Sequence, residues 1–140
     1  DLGCGNGVLA LKAAHLFPDS RITCVDESYM AVESARLTLK MNQVESDKYV
    51  CKANNSLQNF TPNSVDLILC NPPFHQQHVV GDAIAWSMFR DSAKTLRRGG
   101  ELWIVGNRHL GYHLKLNKLF GNFKVIASNK KFVVIQSVKK

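Results

Sequence analysis

No apolar stretch in this chain approaches the ~20 residues that a helix needs to cross a bilayer, and no stretch reads as a signal peptide. Cys4, Cys24, Cys51 and Cys70 include no C-x-x-C pair, which removes the common zinc and dithiol patterns. Each cysteine lies in or beside an apolar run. Free buried thiols in a reducing, cytoplasmic compartment are therefore expected, not disulfides or a metal centre. Internal repeats, linkers and low-complexity tracts are absent, so neither a solenoid nor a disordered tail is written here. Acidic residues are scarce in one half only. Residues 71–140 hold 3 Asp/Glu against 12 Lys/Arg, whereas residues 1–70 hold 8 against 6. A basic half joined to a mildly acidic one suggests a polyanionic partner such as nucleic acid. A solvated basic face would give the same count.

What is present is an ordinary globular composition, 45% hydrophobic and 21% charged over 140 residues, enough for one domain with a real core. Asp1-Leu2-Gly3-Cys4-Gly5-Asn6-Gly7 reads as the end of a strand and a tight turn into a helix over Val8–Leu16, stopped by Pro18. The glycines allow close approach of a ligand, and the helix start offers unpaired N–H groups. Because the first residue already lies inside this motif, the chain reads as a fragment with most of its first strand missing.

Arg21–Asp26 reads as a strand ending on an acid. Ser28 is a candidate N-cap for a helix running to about Met41, with Ala31, Ala35 and Leu39 inward. Tyr49–Ala53 is a short strand followed by Asn54 and Asn55. Val65–Cys70 is a buried strand that ends at Asn71-Pro72-Pro73-Phe74, since two prolines cannot continue a ladder. A helix is expected from about Asp82 to Arg97, ended by Gly99-Gly100, with Ala85, Phe89, Ala93 and Leu96 inward. Leu102–Val105 is a strand, and Gly111–Phe120 a helix with Leu114, Leu116 and Leu119 partly inward. Two strands, Phe123–Ala127 and Phe132–Ile135, are joined so closely that they must be antiparallel. Trp86 and Trp103 read as core. The pattern is α/β: a Rossmann-like, doubly wound, seven-strand-type sheet with a C-terminal antiparallel hairpin and a truncated first strand.

Three features carry chemistry. The dinucleotide fingerprint G-x-G-x-x-G would need glycine where Val8 stands, and no G-K-[ST] marks a phosphate loop. Asp26, about twenty residues beyond the glycine turn, has the spacing at which a carboxylate accepts from ribose hydroxyls. Together they favour a nucleoside ligand. Asn71-Pro72-Pro73-Phe74 places an amide, backbone carbonyls and a ring at a strand's carboxyl end, the edge where open α/β sheets bind ligands. His75 with His78, and His109 with His113, could each share a helical face. No cysteine or carboxylate clusters beside them, so no metal is expected. Arg97, Arg98, Arg108, Lys115, Lys118, Lys130 and Lys131 could form a phosphate-binding surface.

Asp1-x-Gly3-x-Gly5-x-Gly7, then Asp26, then Asn71-Pro72-Pro73-Phe74 resembles the class I S-adenosylmethionine-dependent methyltransferases of the amino-methylating kind. The longer run Asn71–His78, with Gly106-Asn107-Arg108-His109-Leu110, is similar to the ribosomal RNA guanine-(N2) methyltransferases, the large-subunit branch above all. The resemblance covers the whole chain. It implies that residues 1–140 are a catalytic domain, with an additional N-terminal methyltransferase-like domain absent here. It further implies that Asp1, Gly3, Gly5 and Gly7 hold the methionine part of S-adenosyl-L-methionine, Asp26 the ribose and Asn55, or its neighbour Asn54, the adenine. The Asn71 side chain and the Pro72 carbonyl would accept the two N–H bonds of a nucleobase amine, and Phe74 would stack the base. The implied reaction is methylation of the 2-amino group of a guanine in 23S ribosomal RNA. The small-subunit (16S) guanine enzyme, a DNA adenine or protein glutamine methyltransferase, and a non-catalytic RNA-binding module are the alternatives.

Overall fold

The computed structural model describes residues 1–73 and 78–140, and at His78 the backbone alone. Phe74, His75, Gln76 and Gln77 lie outside the described residues. The chain divides into two units, Asp1–Ser56 and Leu57–Lys140.

In the first unit the main chain of Asp1 donates to Thr23 O (2.8 Å), Val25 donates to Asp1 O (2.9 Å) and Gly3 donates to Val25 O (2.8 Å). This is parallel pairing around a Leu2–Val25 bridge. Leu2 thus lies alongside Val25 in the parallel sense. Strand β1 (Ile22–Asp26) then pairs in parallel with β2 (Tyr49–Ala53), Cys24 opposite Cys51 and Asp26 opposite Ala53. Helix α1 (Val8–Leu16) stops before Pro18, and α2 (Tyr29–Met41) starts where Ser28 Oγ accepts from Ala31 N at 3.2 Å. That cap contributes roughly 1 kcal/mol. Val32, Ala35 and Leu39 form the buried face of α2, Val32 taking the place expected of Ala31. They pack with Cys4, Ala10, Cys24 and Cys51 into one cluster. All four cysteines of the chain are free and buried.

In the second unit β3 (Val65–Cys70), α3 (His78–Thr95), β4 (Leu96–Asn107), α4 (Tyr112–Phe120), β5 (Lys124–Ser128) and β6 (Phe132–Val138) follow in order. The sheet order is β3-β4-β6-β5, with β3 parallel to β4 and the rest antiparallel. The hairpin turn is fixed by Asn129, whose Oδ1 accepts from Lys131 N (2.8 Å) and Phe132 N (2.7 Å). Asn122, just past α4, bonds Val138 through both its Oδ1 and its Nδ2 and ties the helix end to β6. No helix among the described residues is long and apolar enough to cross a membrane.

Three expectations are corrected. Gly99-Gly100 does not end a helix. Helix α3 ends at Thr95, because Ser64 N takes the Thr95 carbonyl (2.8 Å) and Leu96 pairs with Val65. The glycines form an excursion within β4: Gly99, at φ 84°, donates to Lys139 O and Lys139 N donates to Gly100 O. Leu114 points to solvent, since Tyr112 and Leu116, one turn apart, set the buried face of α4. Trp86 and Trp103 are half-buried, each with a polar handle: Lys118 Nζ lies 5.6 Å from the Trp86 ring, and Trp103 Nε1 donates to Glu101 Oε1 (2.8 Å). That bond and one from Gln136 hold the Glu101 carboxyl below the usual range.

Candidate active site

At the carboxyl end of the first unit's strands, Asp26 is fixed by two backbone donors. Gly5 N gives to its Oδ2 (3.1 Å) and Ser28 N to its Oδ1 (3.0 Å). Each carboxylate oxygen keeps a further lone pair for a hydroxyl. The Gly5–Asp26 bond joins the turn to the acid, so the two halves of the motif are one structure. Gly5 sits at φ 50°, and a Cβ there would meet nothing within 4 Å, which leaves open space above the turn. Gly7, at φ 81°, is needed for packing: a Cβ would lie 3.0 Å from both Cα and Cβ of Ala35. The N-cap of α1 is Gly7, which has no side chain to offer, and Asp1 Oδ2 takes that role from a distance by accepting from Ala10 N (3.0 Å). A negative charge at a helix N-terminus is favourable.

After β2, Asn54 N donates to Asp26 O (3.0 Å), and the Asn54 amide donates to Ser56 O (2.9 Å). Asn54 is thereby built into the turn, while Asn55 is exposed. Ser56, at φ 51°, has a buried Oγ with no hydrogen-bond partner among the described residues. Buried hydroxyls are nearly always paired, so this one is an exception within the turn. Nothing in the spacing singled Ser56 out. Open space over Gly5, an oriented carboxylate and an exposed amide at Asn55 suit the amino-acid and nucleoside parts of S-adenosylmethionine.

In the second unit Asn71 and Pro72 stand at the carboxyl end of β3. Asn71 is exposed and the next residue, Pro72, is buried. Cys70, next to them, is 1% exposed, and burial pushes its thiol up to about 12. A neutral buried thiol is no nucleophile at pH 7. The polar group that this strand end presents is therefore the Asn71 amide. Tyr112, on α4, is buried and meets Phe89 edge-on, ring centroids 5.2 Å apart at 89°. Burial, then the nearby Cys70 and Asp82, raise the Tyr112 phenol to about 12. The Tyr112 ring lies over Gly106, where a Cβ would come within 2.5 Å of its Cε2. Gly106→Ala is expected to destabilise the protein by about 1–3 kcal/mol, the usual range for overpacking. Urea unfolding reads this, and an unchanged midpoint would mean that the ring has room to move.

Of the histidines, His113 lies against Phe123 (5.6 Å) and His109 is exposed. Among the described residues no group of three or more His, Cys, Asp or Glu is placed to hold a metal ion. Phe74 and His75 fall outside the described residues.

The methyltransferase small domain family matches residues 1–136. The chain belongs to that family. Relatives of this methyltransferase chain include the ribosomal RNA large subunit methyltransferases G of Vibrio parahaemolyticus and Shewanella amazonensis, each 57% identical over 141 residues and 99% of this chain. The chain spans 37% of the length of both. Among solved structures, a T. thermophilus 16S rRNA guanine N2 methyltransferase in complex with AdoMet and guanosine is 26% identical, with TM-score 0.86. That match covers all of this methyltransferase chain and 36% of the other. The α/β fold is thus the Rossmann-like class I methyltransferase fold expected of the sequence.

Proposed function

We propose that the protein carrying this domain transfers a methyl group from S-adenosylmethionine to the 2-amino group of a guanine in 23S ribosomal RNA, in the cytoplasm. The observation that carries the chemistry is the strand end at Cys70–Pro72: an exposed amide, stiffened by a buried proline, beside a thiol that burial keeps neutral. S-adenosylmethionine, when bound, supplies an electrophilic methyl group on a sulfonium. Asp1, Gly3, Gly5 and Gly7 would hold its methionine part, Asp26 its ribose, and Asn55 its adenine edge. Asn71 Oδ1 and the Pro72 carbonyl accept the two N–H bonds of the target amine, favour a pyramidal nitrogen and stabilise the charge that develops there. Phe74 stacks the target base. A base within a duplex must leave the stack to reach them.

The large-subunit substrate rests on relatives at 57% identity that are so named. The small-subunit reading is favoured by the guanosine-bound neighbour at 26% identity. Mass-spectrometric mapping of ribosomal RNA from cells lacking the protein decides between them. A guanine methyl mark missing from 23S supports the proposal, a mark missing from 16S the second reading, and an unaltered profile removes both. For the cofactor site, Asp26→Ala is expected to weaken S-adenosylmethionine at least about tenfold in isothermal titration, the worth of one hydrogen bond to a charged acceptor. Equal affinity would remove the ribose role.

A further inference from the structure

The seven cations singled out by sequence do not share one surface of the second unit. Arg97 and Arg98 lie in the excursion near the start of β4, at the amino edge of the parallel β3–β4 pair. Arg97 is already paired there, its Nε 2.5 Å from Asp66 Oδ1. Lys115 on α4 is paired with Asp82 on α3 at 3.6 Å, and Lys118 covers Trp86. Three remain, and topology brings them to the other edge. Asn107, the last residue of β4, is opposite Phe132, the first residue of antiparallel β6. The β5–β6 turn with Lys130 and Lys131 is therefore at the carboxyl edge of β4, next to Arg108. Strand β3 ends at that edge too, since Cys70 is opposite Ile104.

These two loops are bonded to each other. Arg108 N donates to Lys131 O (2.9 Å), and Arg108 Nη1 donates to Asn129 O (3.0 Å). The guanidinium is thus fixed in place with most of its N–H groups still outward. Arg108, His109, Lys130 and Lys131 are all exposed. Among the described residues no carboxylate pairs with Arg108, Lys130 or Lys131. The other carboxylates of this unit are engaged elsewhere: Asp66 with Arg97, Asp82 with Lys115, Asp91 with Arg90, and Glu101 with Trp103 and Gln136. Lys131 Nζ stands 5.2 Å from the Phe132 ring, and Phe132 is 45% exposed. A held guanidinium and two exposed ammonium groups beside an open aromatic residue match what single-stranded nucleic acid needs: charge for phosphates and a ring for a base.

We propose that Arg108, Lys130, Lys131 and Phe132 form a grip for single-stranded RNA, the cations taking phosphates that flank the target nucleotide and Phe132 stacking a neighbouring base. The grip rests on the reading of Asn71 as the acceptor of an RNA amine, and it adds a register: the strand is held on the β4–β6 side of the β3 end.

The test is fluorescence anisotropy with the whole protein and an end-labelled single-stranded RNA, repeated across salt concentrations. Lys130→Gln/Lys131→Gln changes two exposed turn side chains and leaves the Arg108 cross-bonds in place. It is expected to reduce the slope of log affinity against log salt by about 1.4, at ~0.7 for each phosphate no longer neutralised. Phe132→Ala is expected to weaken binding about fivefold or more with the slope unchanged, as stacking is worth about 1–3 kcal/mol per base. Arg98→Gln, a loss of charge at the amino edge, is expected to leave both readings alone. An unaltered slope in the lysine pair, or an equal change in Arg98→Gln, overturns the grip. Binding is read without turnover, so a protein that binds RNA through this rim and methylates none would keep the grip and overturn the function.

Discussion

Asn71→Ala is expected to lower kcat for methyl transfer to RNA by at least about 10²–10³, the range seen when one preorganised partner of a developing charge is removed. The exocyclic amine of a nucleobase is a poor nucleophile because its lone pair is delocalised into the ring. Two acceptors aimed at its N–H bonds lower the cost of drawing that pair out. Asn71 is suited to one of these places because it is exposed while the next residue, Pro72, is buried, so the backbone beside the amide is anchored. Alanine keeps the backbone and removes the acceptor. S-adenosylmethionine affinity, read by isothermal titration, is expected to stay near that of the parent protein, since Asn71 carries none of the hydrogen bonds made by Asp26 and Gly5. Asn71→Asp offers an acceptor with a charge and is expected to recover part of the rate. Full activity in Asn71→Ala would remove the acceptor mechanism.

Phe89→Ala is expected to cost about 3–5 kcal/mol, the usual range for deleting a buried phenylalanine. Domains of this kind are stable by only about 5–15 kcal/mol, so the loss is a large fraction. Phe89 is fully buried on α3 and supports the edge of Tyr112, which in turn lies over Gly106 near the end of β4. Removing the first ring leaves a void that the second cannot fill without leaving Gly106. The measurement is urea unfolding, with the midpoint falling and the slope preserved. Phe89→Leu keeps most of the volume and is expected to lose less. A loss below about 1 kcal/mol in Phe89→Ala would show that the site collapses around the deletion.

How much is legible in the sequence depends on the distance over which each signal acts. Pro18 and the Ser28 cap act within one turn, and both helix boundaries they mark are where the sequence puts them. Asp26 and the glycine turn are far apart in sequence, yet their spacing is enough, because the βα unit joining them has a nearly fixed length. Gly99-Gly100 misleads because a glycine that ends a helix and one that kinks a strand look alike. What separates them is Val65 and Lys139, residues distant in the chain that capture Leu96 and Gly99. The Tyr112–Gly106 packing has no local signature at all. Nor does the segregation of cations, which follows from strand order: seven like charges in a row of text become two edges and a helix only when β6 is placed beside β4. The unpaired Ser56 hydroxyl is legible in three dimensions alone.

The buried thiols have a consequence for the motions of the chain. Cys4, Cys24 and Cys51 belong to the core of one unit and Cys70 to the other, and all four are free. A thiol reagent in water reacts with such groups only when the surrounding structure opens. Alkylation rates at the first three therefore follow the opening of the turn-bearing unit, and the rate at Cys70 that of the strand ending in Asn71. With no engineered probe, the protein can report separately how often each of its units comes apart.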